Sequence, residues 1–322
     1  MHHKPTKFAP KRCAIETHDA NEQADNLTDW HQQYDQVDAG RFYGRIDELQ
    51  IRDLQVYREH SSHTLHQQCL VKANALWFGI PSQHERCRIN GQRVNRNDIL
   101  CHPGSQPFEL VTPGRFDMHG IVVSKQTLLD SASLQSLDIQ PLDAERHARL
   151  QLPDTTLAQL RYLTDRIVNS RVDRLDGRIH HDLLIMALLE VMHIETPSVS
   201  GPPSYRQRRA VVDRIRQYLT ANEEIPLTVS ELCEIGCVSR RTLQYSFESI
   251  LDISPSQFLR VHRLNRVKRM LGAAEATSVS EAAAYHGFYH LSQFSRDYKH
   301  LFGELPSSTL ATALSRSGTT HP

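Results

Sequence analysis

Residues 238–247 read VSRRTLQYSF, in which Arg241, Gln244 and Tyr245 carry long hydrogen-bonding side chains while Leu243 and Phe247 stand four residues apart. On a helix this spacing gathers the apolar pair on one face and the polar group on the other. Guanidinium, amide and hydroxyl groups so placed match the donor and acceptor patterns of base edges in a major groove, arginine suiting guanine and glutamine suiting adenine. Arg240 falls nearer the side of the first turn, where a phosphate is the expected partner. A single helix of this composition is ordinary, because solvent-facing helices routinely carry arginine and glutamine.

The pattern occurs twice. Thr228-Val-Ser-Glu231 and Ser278-Val-Ser-Glu281 both have the form of a capping box and lie 50 residues apart. Cys237 and Gly287, at a turn, keep the same offset, and it becomes 51 where Leu243 matches Phe294 and Phe247 matches Tyr298. In the second copy Leu291, Phe294, Tyr298 and Leu301 are expected on the inner face, with Ser292, Ser295, Arg296 and Lys299 outward. Two helix-turn-helix units are therefore predicted. Between them Ser254-Pro255 opens a helix that runs to Gly272. A rod of that length, roughly 25 Å, could hold two recognition helices about one duplex turn (~34 Å) apart. Arg260, Arg263, Arg266, Lys268 and Arg269 lie along it, equally suited to phosphate contacts or to a solvated basic face.

These helices need a body to carry them. The chain of 322 residues, 39% hydrophobic and 23% charged, has room for two domains with separate cores. Net charge is zero, yet residues 205–322 hold 15 Lys and Arg against 11 Asp and Glu, leaving the remainder acidic by the same margin. No apolar run reaches the ~20 residues of a membrane span, and the first residues lack a signal-peptide core, so a cytosolic protein is expected. The six cysteines show no CxxC spacing and read as reduced, mostly buried thiols, although Cys233 and Cys237 at a spacing of four would also suit a paired site.

The fold class expected is α+β. Residues 1–140 are predicted to form an effector-sensing, β-rich small barrel of cupin-like type with an N-terminal arm, including a short helix around NLTDWHQQYDQV. Asn90-Gly91 marks a hairpin. Residues 141–193 read as connecting or dimerisation helices, 194–204 as a linker, 205–310 as an all-α double helix-turn-helix domain, and 311–322 as a disordered tail. Tyr57, Trp77 and Phe116, with Phe78 and Tyr43, would line an effector pocket or form plain barrel core. His60, His63 and His66 invite a metal reading, but in one strand only His60 and His66 would share a face, so no metal site is expected. Catalytic carboxylate pairs, nucleophile elbows and phosphate loops do not stand out, and an enzyme is not expected. The alternative is a metal-dependent sensor or barrel enzyme fused to a DNA-binding module.

VSRRTLQYSF, ISPSQFLRVHRLNRVKRML and HGFYHLSQFSRDYKHLFGELP, with their spacing, resemble the AraC/XylS transcription regulators over roughly Tyr205 to Pro306. Asp252 stands where glycine is common, Val267 where alanine is, and Tyr298 where phenylalanine is. The stretch from Thr28 to Pro81, with SRRTLQ and GFYHLSQF, is similar to the branch of that family that activates ethanolamine-utilisation operons. The resemblance implies an activator of an ethanolamine or related amine catabolic operon. It further implies promoter DNA, RNA polymerase and a small-molecule effector as partners, a homodimer, and a place at the bacterial nucleoid. Ethanolamine with adenosylcobalamin is the effector set that the branch implies.

Overall fold

The computed structural model describes residues 10–137, 148–194, 196–197, 203–222 and 226–318. The chain begins with β1 (Lys11–Thr17), α1 (Ala20–Ala24), β2 (Trp30–Gln36), β3 (Gly44–Ile51), β4 (Leu54–Ser61) and β5 (Leu65–Val71). Next come β6 (Ala75–Pro81), β7 (Arg88–Ile89), β8 (Gln92–Arg93), β9 (Asp98–Pro103), β10 (Phe108–Thr112) and β11 (Phe116–Ser124). Helix α2 (Lys125–Leu134), β12 (Arg149–Gln151), α3 (Asp154–Asn169), α4 (Gly177–Ile194) and β13 (Thr196–Pro197) follow. Everything described beyond is helical: α5 (Pro203–Ala221), α6 (Val229–Gly236), α7 (Arg240–Leu251), α8 (Pro255–Gly272), α9 (Val279–Tyr285), α10 (Leu291–Phe302) and α11 (Pro306–Gly318).

These elements form two compact units, one of Met1–Tyr34, Tyr43–Ser62 and Gln67–Ser200, the other of Asp35–Phe42, His63–His66 and Gly201–Pro322. The division differs from the expected boundaries. Helices α3 and α4 belong with the sheets, and two short stretches of the N-terminal half group with the C-terminal helices. Most of the expected linker lies outside the described residues.

In the first unit an eight-stranded sheet, ordered β1-β3-β4-β11-β6-β9-β12-β13, shares a core with a five-stranded sheet ordered β2-β5-β10-β7-β8. Alternation along each strand supplies two faces. Trp30, Ile46, Tyr57, Trp77, Phe108 and Phe116 meet between the sheets. Leu49, Val56, Phe78 and Ile121 point the other way, under Leu157 and Leu160 of α3 and Leu184 and Leu188 of α4. Asn90 and Gly91 take φ values of 51° and 76° and join Ile89 to its partner Gln92, the two-residue hairpin expected of that dipeptide.

The short helix expected around residues 26–37 is a strand, β2. Trp30, Tyr34 and Gln36 are buried at a period of two while His31 is exposed, so burial between sheets overrides a polar composition that reads as helical. The helix of that region is α1, separated from β2 by five residues and capped by the Asp19 side chain.

In the second unit α5, α6 and α7 enclose Val212, Ile215, Leu232, Leu243, Phe247 and Ile250. A separate core holds Ala282 and Ala283 of α9, Phe294 and Tyr298 of α10 and Leu310 of α11. Helix α8 serves both: Phe258, Leu259 and Val261 enter the first, and Leu264, Val267 and Leu271 the second. Residues 311–318, expected as disordered tail, instead continue α11, whose Leu310 and Ala313 are buried; residues 319–322 lie outside the described residues. The tail reading failed because alternating Ser, Thr and Ala conceal a sparse apolar period.

The stretch 35–42 is held to α8 by polar contacts inside this unit. Buried Asn265 accepts from the Gln36 amide at 3.1 Å and donates to its carbonyl at 3.0 Å, while Arg269 reaches Asp35 at 2.7 Å. Burial disfavours a charge on Asp35, but Arg269 and His262 outweigh it and hold the carboxyl well below its usual range.

Both helix-turn-helix turns pass through the left-handed region, at Cys237 (φ 52°) and at Gly287 (φ 80°). Glycine is free of the steric cost there and cysteine is not. A Cβ on Gly287 would also lie 2.6 Å from Cβ of Pro226. Cys237→Gly should therefore stabilise the protein by up to about 1 kcal/mol, and Gly287→Ala should destabilise it by more than that. Denaturant melts of the two variants check the opposite signs.

Candidate nucleic-acid interface

Each candidate recognition helix is anchored by its caps and its inner face. The Ser239 hydroxyl caps α7 by accepting from the Thr242 amide, and Leu243, Ser246, Phe247, Ile250 and Leu251 are buried. Arg240, Arg241, Gln244, Tyr245 and Glu248 are exposed, as the helical wheel expects. Gln244 donates to Glu248 one turn on, so its amide is pre-aligned along the outer face. Upstream, Thr228 and Glu231 form a complete capping box at α6. The matching box at α9 is altered: Ser278 accepts from the Glu281 amide, but the Glu281 carboxylate turns to the Thr277 amide and hydroxyl.

Helix α10 departs from its expected pattern at two positions. Leu291, assigned to the inner face, is 45% exposed, because α10 begins there and its first turn projects past the core. Ser295 is half-buried, while Ser292, Gln293, Arg296 and Lys299 are exposed. Gln293 was not among the expected residues. It donates to Asp297 at 2.7 Å, and Asp297 also receives Arg260 of α8 at 2.6 Å.

The basic row of α8 is largely engaged within the unit, Lys268 being buried, Arg263, Arg266 and Arg269 half-buried and Arg260 exposed. Lys268 is buried, 3.3 Å from Glu304 and 4.6 Å from the centre of the Phe302 ring. Arg263 donates to the Leu227 carbonyl, Arg269 pairs with Asp35 and Arg260 with Asp297. In sequence these residues look alike; which of them turn inward depends on where the flanking helices lie.

In the first unit the expected effector residues Tyr57, Trp77 and Phe116 do come together between the sheets. Trp77 donates its indole N–H to the Tyr57 hydroxyl at 2.8 Å. Two glycines make room for these rings, since a Cβ on Gly120 would fall 2.1 Å from the Tyr57 ring and one on Gly79 2.5 Å from that of Trp77. Phe78 faces the helices instead, and Tyr43 lines an open cleft with Arg12, Arg45, Asp47, Arg58 and His60. His60 sits on β4 near Asp117, His63 follows that strand and His66 lies on β5, so the three histidines never share a strand.

The interior holds more polar groups than the sequence pattern announced. On β4, Gln55, Tyr57 and Glu59 all point inward and are buried. Glu59 accepts from Gln23 at 3.1 Å and from the Tyr34 hydroxyl at 3.0 Å. Burial raises its carboxyl to about 7 even though both hydrogen bonds act the other way. Trp30 donates to Gln55 at 3.0 Å, and Glu48 accepts from the amide and hydroxyl of Thr28.

A helix-turn-helix domain family matches residues 232–312. The XylDLEGF operon transcriptional activator of Pseudomonas putida is 32% identical over 253 residues, spanning 76% of this chain and 74% of that protein. The chain belongs to the AraC/XylS family of transcription regulators. The regulator ArgR of Pseudomonas aeruginosa is 38% identical over 88 residues, 27% of this chain and 26% of its own. Among solved structures, the AraC-like activator CuxR covers 79% of this chain and 94% of its own at 12% identity and a TM-score of 0.42.

Two departures from the AraC/XylS pattern have physical accounts. Asp252 ends α7 at φ 63°, the left-handed position that explains the usual glycine and that aspartate tolerates. The Tyr298 hydroxyl is hydrogen-bonded to Thr309 of α11 at 2.8 Å, so the extra oxygen is satisfied. In this AraC/XylS regulator the interior carboxyl sets a pH dependence. A folded value of about 7 lies above the ordinary 4.5, so stability is full below about pH 4.5 and falls as pH rises to about 7. Glu59→Gln removes that loss: its advantage over the parent should be absent at pH 4 and reach about 3 kcal/mol at pH 8. Urea melts at both pH values test this, and a pH-independent difference would contradict it.

Proposed function

We propose that this AraC/XylS regulator is an effector-responsive activator of a catabolic operon, and that α7 and α10 read its promoter. The observation that carries the DNA-reading role is the pairing of two exposed polar faces on helices whose opposite faces are buried in separate cores joined by α8. Arg241, Gln244 and Tyr245 on α7, and Ser292, Ser295 and Arg296 on α10, are the base-reading set, with Gln293 added by its exposure. Arg240 and Lys299 are placed for phosphates, which give affinity without sequence information. Ser295, half-buried, has the least reach of the set. RNA polymerase is the partner an activator requires, and a homodimer is the assembly proposed here.

Arg241→Ala should lose about 1–3 kcal/mol on the cognate site while binding random duplex almost unchanged. Footprinting and competition titrations compare the two, and equal weakening on both would reduce Arg241 to a phosphate contact.

For the effector we propose ethanolamine or a related amine, in the presence of adenosylcobalamin, on the strength of the resemblance across residues 28–81 and the recognition stretches. The aromatic interior around Tyr57, Trp77 and Phe116 is the proposed seat. Ligand at about a hundred times its dissociation constant should add about 2.7 kcal/mol of stability. A thermal-shift series with ethanolamine, with and without cobalamin, reads this directly. The absence of any shift in either condition removes ethanolamine as the effector.

A further inference from the structure

Residues 35–42 lie far upstream in the chain of the helices they accompany, and they touch elements of both helix-turn-helix pairs. Val37 is buried in the core that α5, α6 and α7 share. One residue earlier, the buried Gln36 side chain turns toward the other pair. Its amide nitrogen lies 2.7 Å from the Leu301 carbonyl, 2.7 Å from that of Gly40 and 3.0 Å from that of Asp38. The Gly40 amide also donates to the Leu301 carbonyl, at 3.1 Å. Leu301 is in the last turn of α10, where a helix has no donor of its own to offer its carbonyls.

The contact is close and has one orientation. The Gln36 amide oxygen is buried and has no partner among the described residues. Such an acceptor costs free energy, yet the reverse orientation would set that oxygen against three carbonyls. A Cβ on Gly303, just past α10, would lie 2.9 Å from the Arg41 amide nitrogen, so backbone meets backbone here. The stretch is also stiffened from its own side. Asp38 accepts from the amide and the hydroxyl of Thr64, both at 2.9 Å, and the Val37 amide donates to the Thr64 carbonyl.

Helix α8 by itself sets how far apart the two pairs stand, but one rod leaves α10 free to pivot about its end. Residues 35–42 add a second tie. They are fixed to the first core at Val37, to the middle of α8 where Asn265 brackets the Gln36 backbone, and to the end of α10 at Leu301. Reading base edges demands side chains placed within a fraction of an ångström and some 10–20°. We propose that Gln36 is a positioning residue for base reading by α10, holding that helix at its working angle without touching DNA. The proposal rests on the reading above in which α10 meets the promoter.

Binding titrations of the full chain with double substitutions test this. In the parent, Arg241→Ala and Arg296→Ala should each weaken cognate binding about tenfold or more. Gln36→Leu alone should weaken it about tenfold while random duplex binds within about twofold of the parent. With Gln36→Leu in place, Arg296→Ala should cost less than about threefold, whereas Arg241→Ala keeps its full factor. Hydrogen exchange of the free protein should quicken at residues 299–303 and stay unchanged in α7. Asn265→Ala releases the Gln36 backbone but keeps its side chain; it should show the same selectivity, and it serves if Gln36→Leu fails to fold.

Equal coupling of Gln36→Leu to Arg241 and to Arg296 would make the residue a general support and overturn the proposal. Unchanged exchange at residues 299–303 would overturn it too, as would tighter cognate binding, which would mark the stretch as a brake. If Arg296→Ala binds like the parent, base reading by α10 falls and the proposal with it, and faster exchange at 299–303 would tell that outcome from a failure of the tie itself.

Discussion

Helix α8 is the wall of two cores, and that double duty constrains the second unit. Its first turns are buried with α7 and its last with α10. Helices α7 and α10 are therefore held through one continuous backbone whose rise per residue is fixed. A flexible tether would leave each helix-turn-helix to find DNA alone. The same constraint explains why so few of α8's side chains are free. Little of its circumference is left for solvent, and its basic residues reach Asp35, Asp297 and Glu304.

What the sequence showed of this unit was short-range. Caps, turns and a 3.6-residue period are written within a dozen residues, so the duplicated helix pairs and their outer faces could be read directly. Leu291 failed because a wheel cannot tell a helix's first turn from its interior. Lys268 failed because its partner, Glu304, and the ring beside it, Phe302, lie in elements more than thirty residues on. The final helix was missed because its few apolar residues, Leu310, Ala311, Ala313 and Leu314, are scattered among Ser and Thr and weigh little in a pattern.

The sheets were harder for a related reason. Both faces of β4 are buried, Val56 against helices and Tyr57 against the opposite sheet, so polar residues such as Gln55 and Glu59 do not mark an outside. An inward glutamate in such a strand is indistinguishable in sequence from an outward one. The aromatic members of the core between the sheets, Tyr57, Trp77 and Phe116, were legible because large rings rarely face water. Its polar members were not, since their burial depends on pairings with β2 and α1. Misreading β2 as a helix hid Tyr34, which hydrogen-bonds Glu59.

The inward commitment of α8's cations bears on how such a regulator finds its site. Affinity for any duplex, regardless of sequence, comes largely from cations that displace condensed counterions, and each such contact steepens the salt dependence. Lys268 and Arg269 are paired with carboxylates of the same unit and partly or fully buried, so they have less charge to offer a phosphate than the exposed Arg260. On the proposed reading, the charge left for phosphates lies instead on the outer faces of α7 and α10, at Arg240, Arg241, Arg296 and Lys299.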